Sequence, residues 1–338
     1  MAQGSGGRAL RWQWIAPVLA LGVLVTAAHV WLNTNVLAGK DLCGGLVSTA
    51  AADAVLPGAG RISDRNGLDT RPGDPLDFSC TVESSSVLPG SETGRLRISG
   101  TRERGDFPFT AGRWSSPATV SFFSGGATGG VGENHGWVLL PASCTNSRPA
   151  IIEGYAPEGS DPVELSRLLT DVANRAAERA GCAGDRPMTP PDTLAAVPVS
   201  REVTDGRVCG VEGLAFPGLG GANGKARETV QDRTDAAWAC EVAGHATYAV
   251  TQEPQIIAAV RASPGYKEQP PAAGLNVAGF DPRHVVADCS GTPTYFSMEL
   301  GRNYTAALGS PGTPPSQELF NSFIDSVGQR FGCSASAS

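Results

Sequence analysis

The sequence predicts an α+β fold made of two tandem homologous domains, preceded by one N-terminal transmembrane helix. Three observations carry this prediction. A helical segment occurs twice, eight cysteines divide into two equivalent sets of four, and one long run near the N-terminus has no charge. Each domain is expected to contain an antiparallel sheet with helices packed on it. A chain of 338 residues has room for two or three domains of ordinary size.

Composition narrows the class of partner. The net charge is −7 and the sequence pI is about 5.2, and no cluster of lysine and arginine follows the N-terminus. Nucleic-acid binders need such clusters to displace the counterions of phosphates, so no nucleic-acid partner is expected. Glycine and proline, with 43 and 25 residues, exceed their usual share, which indicates a loop-rich fold.

The N-terminal region predicts a membrane anchor. Residues 1–11 contain arginine and no acidic residue, and the 18 residues 15–32 have no formal charge, close to the ~20 that cross a bilayer. Tryptophans flank this run as in an aromatic belt, at Trp12, Trp14 and Trp31. We expect a cytoplasmic tail at 1–11, a signal-anchor at 12–33 and an extracytoplasmic remainder. A signal peptide cleaved near 25–28 is the alternative.

The first extracytoplasmic unit is predicted over residues 41–183. An alanine-rich segment at 46–56, with Ser48 or Thr49 as N-cap, is compatible with a helix. Alternation of apolar and polar residues predicts antiparallel strands, which we place at 76–84, 95–101, 118–123, 136–144 and 149–155.

The helix that closes this unit occurs a second time. Residues 161–182 and 313–333 align at their Gly-Cys ends, and their apolar positions recur at helical spacing. Each copy therefore has one buried face. In the first copy, Asp161 is expected as N-cap, Pro162 in the first turn and Gly181 in a left-handed conformation after the helix.

The second unit, predicted over 207–334, repeats the order of cysteines and strands. A short helix is expected at 254–262. Between the units, residues 184–206 carry four prolines and no periodicity, so they are expected to form an extended interdomain linker.

The eight cysteines predict disulfides. None lies in a CxxC pair, which disfavours zinc ribbons and thioredoxin-like sites. An even number of widely spaced cysteines behind a hydrophobic N-terminus indicates an oxidising compartment. Four cysteines allow three pairings. We prefer first with second and third with fourth, which predicts Cys43–Cys80, Cys144–Cys182, Cys209–Cys240 and Cys289–Cys333.

The sequence contains no recognised catalytic, cofactor-binding or metal-binding signature. The glycine-rich segment 124–137 lacks the GK[ST] ending of a phosphate loop, so a flexible hairpin loop is expected there. None of the four histidines has HxxH or HExxH spacing. His29 lies in the expected membrane span, and surface or turn positions are expected for His135, in the glycine-rich segment, and for His245 and His284. The combination of His245, His284 and Asp281 is the one catalytic hypothesis that remains.

The opening of each unit resembles a family. An Ala-rich helix after Cys-Gly (CGGLVSTAAADAVLPG) and an aromatic-x-Cys strand (DFSC, AWAC) resemble secreted or membrane-anchored envelope proteins of actinobacteria, in particular small α+β lipoprotein-type domains. The resemblance covers the opening of each unit and lacks a lipobox cysteine. It implies an envelope location and a fold, and no particular activity.

These observations favour a single-pass protein of the cell envelope, with its N-terminus cytoplasmic and its domains outside. Tandem similar domains raise avidity or form a groove without catalytic residues. We therefore expect a non-enzymatic binding or sensing module, or an accessory subunit to another membrane or envelope protein, with no cofactor. The alternatives are an envelope enzyme that uses His245, His284 and Asp281, and a structural spacer.

Overall fold

The computed structural model describes most of the chain, namely residues 7–33, 35, 39, 41–56, 60–86, 93–110, 116–204, 207–214, 226–234 and 237–333. The first six residues of the expected cytoplasmic tail lie outside this part, as do the side chains of Trp12 and Trp14.

The chain begins with helix α1, Gly7–Asn33. In the part of the chain that the structure describes, no helix is both long and apolar enough to cross a membrane, so the expected transmembrane helix at 12–33 lacks structural support. After α1, the Asn35 side chain donates to Asp53 Oδ1 at 2.8 Å and accepts from the Ile62 amide at 2.6 Å. These bonds hold the end of α1 against the first unit.

A small hairpin and a helix open the first unit. Strands β1 (Asp41–Leu42) and β2 (Val47–Ser48) pair antiparallel, and helix α2 (Thr49–Val55) follows directly. The Ser48 side chain accepts from the Ala51 amide, which confirms one of the two expected N-caps.

The first large sheet is antiparallel and has eight strands. Its strands are β3 (Arg61–Asp64), β4 (Asp69–Thr70), β5 (Phe78–Ser85), β6 (Arg95–Arg102), β7 (Ser121–Phe123), β8 (Thr128–Val131), β9 (His135–Leu139) and β10 (Ala150–Tyr155). Their spatial order is β3-β5-β6-β10-β9-β8-β7, with β4 also paired to β5.

Helix α3, Pro162–Arg179, covers one face of this sheet. The Asp161 side chain caps it by accepting from the Val163 amide, Pro162 occupies the first turn, and Gly181 has a φ of 67°, as the sequence predicts. The helix packs closely because glycines face it: a Cβ on Gly154 would lie 2.7 Å from Leu169.

The second large sheet is also antiparallel with eight strands. The chain adds β11 (Arg201–Glu202), β12 (Arg227–Thr234), β13 (Ala237–Val242), β14 (Ala246–Thr251), α4 (Pro254–Ala262), β15 (Lys267–Ala272), β16 (Leu275–Asp281), β17 (His284–Cys289), β18 (Thr292–Leu300), α5 (Arg302–Ala307) and α6 (Ser316–Gly328).

The strand orders of the two sheets correspond. The second sheet runs β11-β12-β13-β14-β18-β17-β16-β15, which matches the first once the edge strand β11 is set aside. Helix α6 covers its sheet as α3 does, with Phe320, Phe323 and Ile324 buried where α3 has mostly alanine and smaller aliphatic residues. The fold is therefore α+β with antiparallel sheets and few helices.

Four disulfides hold these elements together. They join Cys43 to Cys80, Cys144 to Cys182, Cys209 to Cys240 and Cys289 to Cys333, and these are the pairs preferred from the sequence. In each unit one bridge ties the opening turn to an interior strand, and the other ties the end of the closing helix to Cys144, in the turn after β9, or to Cys289, at the end of β17. Disulfides of this kind are typical of an oxidising compartment.

The two sheets share a third buried cluster in addition to their own cores. Trp137, Leu139 and Ile151 of the first sheet lie in one apolar cluster with α4 and with Tyr295 and Val286 of the second. Thr128 Oγ1 also donates to Glu253 Oε1 at 3.3 Å, at the start of α4. The sheets therefore lie face to face, with α3 and α6 on the outer sides.

A loop of the first unit, residues 103–109, docks on the second. Gly105 lies so close to α4 that a Cβ on it would be 2.2 Å from the carbonyl carbon of Ala259, and its amide donates to Ser263 Oγ at 2.8 Å. Arg104 forms a bidentate pair with the fully buried Asp106, both distances being 2.6 Å. We call residues 103–109 the docking loop.

The glycine-rich segment corrects one expectation. It is not a flexible loop: residues 128–131 form the buried strand β8, paired to β7 and β9. A Cβ on Gly129 would lie 2.4 Å from the Phe123 ring, and one on Gly130 would lie 2.6 Å from Val120. Glycine is required here because neighbouring side chains fill the space that a Cβ would occupy.

The segment 184–206 runs along the first unit. The Ala127 amide donates to the Thr189 carbonyl at 2.8 Å, and Ser121 Oγ donates to the Ala195 carbonyl at 2.7 Å. The proline-rich stretch is therefore fastened beside β7 and β8 before β11 begins.

Candidate functional site

The face of the first sheet that meets the second unit is only half covered. On β9 and β10 this face carries the apolar residues of the shared cluster. On β5 and β6 the same face carries polar side chains, because alternate residues of a strand point to the same side. Among them Ser79 and Thr101 are partly exposed and Arg97 is exposed.

A cleft of about 650 Å³ lies over this open half. It is bounded by β5, β6, β10 and the segment 69–72, and its walls include Ser79, Arg97, Ser99, Thr101, Glu153 and Tyr155. The volume is in the range of small-molecule sites, which are usually lined by apolar side chains with a few polar groups. Here most of the lining residues are polar, so the cleft suits a polar ligand. We call it the sheet-one cleft.

A buried carboxylate lies at the floor of the sheet-one cleft. Glu153 is 0% exposed, and its Oε1 accepts from the Tyr155 hydroxyl at 2.6 Å. Ser99 Oγ donates to its Oε2 at 3.5 Å. Burying a charge is costly unless it is hydrogen-bonded, so these contacts explain how the carboxylate is tolerated.

His135 lies beside this carboxylate. Its Nε2 is 3.6 Å from Glu153 Oε1, and its ring centroid is 4.7 Å from that of Tyr155. His135 is only 3% exposed and begins β9, so the expectation of a surface or turn histidine is wrong. Strand pairing brings it to Tyr155, its direct partner across β9 and β10.

The charges around the cleft are of both signs. Arg71 pairs with Asp77 at 2.6 Å, and Asp69 is exposed on β4. Arg97 is the other cation of the lining, and within the described residues its side chain has neither a hydrogen-bond nor an ion-pair partner. The cleft thus contains one guanidinium group whose donors are available to a ligand.

Within the described residues, the second sheet has no equivalent of this open face. Ser79 precedes Cys80 and pairs with Ser99, while Ala239 precedes Cys240 and pairs with Ala249. The two alanines are 0% exposed in the shared cluster. The second sheet therefore uses these strands to receive the first unit, while the first sheet leaves the equivalent strands open.

The structure brings together two of the three residues of the catalytic hypothesis. His284 Nδ1 lies 3.0 and 2.9 Å from the two carboxylate oxygens of Asp281, and its Nε2 lies 3.2 Å from Glu299 Oε1. Burial by itself lowers the pKa of His284, but the hydrogen bonds to Asp281 and Glu299 outweigh it and raise that pKa to about 9. A histidine held as a cation is a poor general base at neutral pH.

His245 does not join this pair. Ala246 pairs with Leu300 on one side of β18, and His284 pairs with Ser297 on the other side. His245 is therefore about four residues farther along β18, which separates the backbones by about 13 Å in that direction alone. Burial lowers its pKa.

Two groups of potential metal ligands contain disulfide-bonded cysteines, and their carboxylates stabilise turns. In the described residues, Asp64 lies near Cys43 and Cys80, and Glu228 lies near Cys209 and Cys240, but all four sulfurs are in disulfides. The carboxylates instead accept from the amides of Cys43 at 2.9 Å and Cys209 at 2.6 Å. They stabilise the turns in which both cysteines have positive φ.

Sequence reasoning did not identify the sheet-one cleft. Its residues come from β5, β6 and β10, and no motif spans them. One available signal was the polar set Arg97, Ser99 and Thr101 alternating with buried residues on β6. Comparison with known proteins adds no assignment: no protein-family model, no curated protein and no solved structure matches this chain.

Proposed function

We propose that this protein is a non-enzymatic, extracytoplasmic binding module that takes a small polar ligand in the sheet-one cleft. The observation that carries the proposal is the open half of the first sheet, where a cleft of about 650 Å³ is lined by polar side chains. A sheet face that serves only as scaffold has no need of an available Arg97 above a buried carboxylate.

Binding fits the site better than catalysis does. Glu153 is occupied by Tyr155 and Ser99, and His284 is paired with two carboxylates. The hypothesis based on His245, His284 and Asp281 needs three residues that do not converge.

An extracytoplasmic location is part of the proposal. The four disulfides support it, because such bonds persist in oxidising compartments. The membrane anchor, the envelope partner and the actinobacterial resemblance stay predictions from the sequence. In protein isolated from its native cells, we expect thiol alkylation under denaturing conditions to label no cysteine; labelling of all eight would contradict this location.

The binding proposal is tested with a panel of small molecules on the full chain. Neutral sugars, sugar acids, amino acids and inorganic phosphate are screened for stabilisation by thermal denaturation, since a ligand that binds only the folded state raises the melting temperature. We expect at least one compound to stabilise the wild-type protein. Ser79→Trp, which fills the cleft, should abolish that shift.

Ser85→Trp is the matched control, because Ser85 is an exposed residue of the same strand outside the cleft. It should retain the shift. The proposal is rejected if no compound stabilises the wild-type protein, or if the response of Ser79→Trp equals that of Ser85→Trp.

A further inference from the structure

Building on the proposed function, we infer that the sheet-one cleft selects a hydroxylated monoanion, a small sugar acid, whose carboxylate binds Arg97. The inference adds a ligand class and a recognition residue to the proposed binding role. It follows from four features of the cleft: an available guanidinium, hydroxyl groups along the floor, one aromatic wall and an excess of acidic groups.

Arg97 differs from its neighbours in lacking an acidic partner among the described residues. The arginines around it are paired, as Arg71 with Asp77, Arg95 with Glu83 and Arg102 with Asp74. The planar guanidinium matches a carboxylate or phosphate through two parallel hydrogen bonds. Arg97 lies on the central strand of the open half, so an anion bound there lies within the cleft.

The floor beside Arg97 offers hydroxyl groups. Ser79, Ser99 and Thr101 lie on one face of β5 and β6, and Ser79 and Thr101 are partly exposed. A hydroxyl both donates and accepts. A ligand that itself carries hydroxyls can bond with the partly exposed Ser79, whereas an apolar acid cannot form that hydrogen bond.

Tyr155 supplies the apolar wall. It is 38% exposed and lies directly across from Arg97 in the sheet. Its hydroxyl is fixed by Glu153, and His135 packs against its ring. The ring is therefore preorganised, which lowers the entropic cost of binding, and its face can pack against the carbon atoms of a sugar ring.

The acidic groups set the charge of the ligand. Asp69, Asp77 and Glu153 line the cleft together with only two arginines. One negative group is accommodated at Arg97, but a second would approach these carboxylates, and like charges at an interface are costly. This balance favours a monoanion over di- and triphosphates.

The test is calorimetric titration of the full chain with glucuronate, glucose and inorganic phosphate. We expect glucuronate to bind, and glucose and phosphate to bind at least about tenfold more weakly. Arg97→Gln should weaken glucuronate binding about tenfold or more. Arg97→Lys should bind glucuronate more tightly than Arg97→Gln does, because lysine keeps the positive charge but cannot form the two parallel hydrogen bonds of a guanidinium. Arg95→Gln, two residues along the same strand, should leave binding unchanged.

The outcomes separate this inference from the function on which it rests. If a neutral compound binds and Ser79→Trp abolishes its binding while glucuronate does not bind, the cleft is a binding site and the ligand class is wrong. If glucuronate binds with equal affinity to Arg97→Gln, Arg97 is not the recognition residue and the inference fails. If glucuronate binds equally to Ser79→Trp, it binds elsewhere, and neither proposal holds.

Discussion

Two buried histidines lie in different electrostatic settings, and this difference limits what each can do. His135 lies beside one carboxylate, Glu153, and packs on Tyr155 at the floor of the cleft. His284 lies between two carboxylates, Asp281 and Glu299. The first arrangement fixes a wall of the cleft, and the second holds a positive charge in the face between the sheets.

The His284 cluster predicts a loss of stability at alkaline pH. A group whose pKa rises on folding stabilises fully below its unfolded pKa, about 6.5, and this contribution is lost as pH rises through the folded pKa, about 9. Between pH 6.5 and 9.5 the free energy of unfolding should fall by on the order of 2–3 kcal/mol. Urea denaturation across this range measures it.

His284→Gln should remove most of that alkaline loss. His245→Gln is the control, because burial lowers the pKa of His245 and its titration affects stability at lower pH. An unchanged alkaline slope in His284→Gln would show that other groups cause the loss.

At the scale of elements, the contact between the docking loop and α4 joins the two units. Phe107 and Phe109 of the loop are buried in the shared cluster, and Gly105 lies against the backbone of α4. Backbone atoms cannot turn aside as a side chain can, so a larger residue at 105 has to displace the loop or the helix.

Gly105→Ala should therefore lower the free energy of unfolding by about 1–3 kcal/mol and speed amide exchange in α4. Hydrogen exchange monitored by mass spectrometry detects both effects. Gly184→Ala is the matched control, because a Cβ there would meet its nearest atom at 3.7 Å. Equal exchange in α4 for the two variants would contradict the close packing.

At the scale of the whole molecule, two sheets with corresponding strand orders share one buried cluster. The second sheet presents Ala239 and Ala249 to the first unit, and the first sheet keeps Ser79 and Ser99 in an open cleft. Packing of two similar units face to face thus covers one copy of this surface and leaves the other accessible.

Phe109 tests how strongly the shared cluster couples the units. Its ring lies 5.6 Å from Phe122 of the first unit and 5.5 Å from Tyr295 of the second. Phe109→Ala should lower the free energy of unfolding by about 3–5 kcal/mol and speed amide exchange in both β9 and α4. Phe323→Ala, within the core of the second unit, should speed amide exchange in the second sheet before it does so in the first. Faster exchange confined to one unit in Phe109→Ala would refute the coupling.

Several features of this protein could be predicted because their causes are local in the chain. Asp161 and Pro162 begin α3 since a cap and a first-turn proline act on neighbouring amides, and Gly181 ends it since only glycine adopts positive φ cheaply. The alternation on β5 and β6 likewise follows from the geometry of a strand.

Other features depend on residues that are distant in sequence, and only the tertiary structure decided them. The glycines of β8 are buried against Phe123, Val120 and Trp137, so a segment that resembles a loop in sequence is a buried strand between β7 and β9. The cleft exists because the second unit covers β9 and β10 and leaves β5 and β6 open. Which half of a sheet is covered depends on how two units pack, and no local pattern encodes that contact.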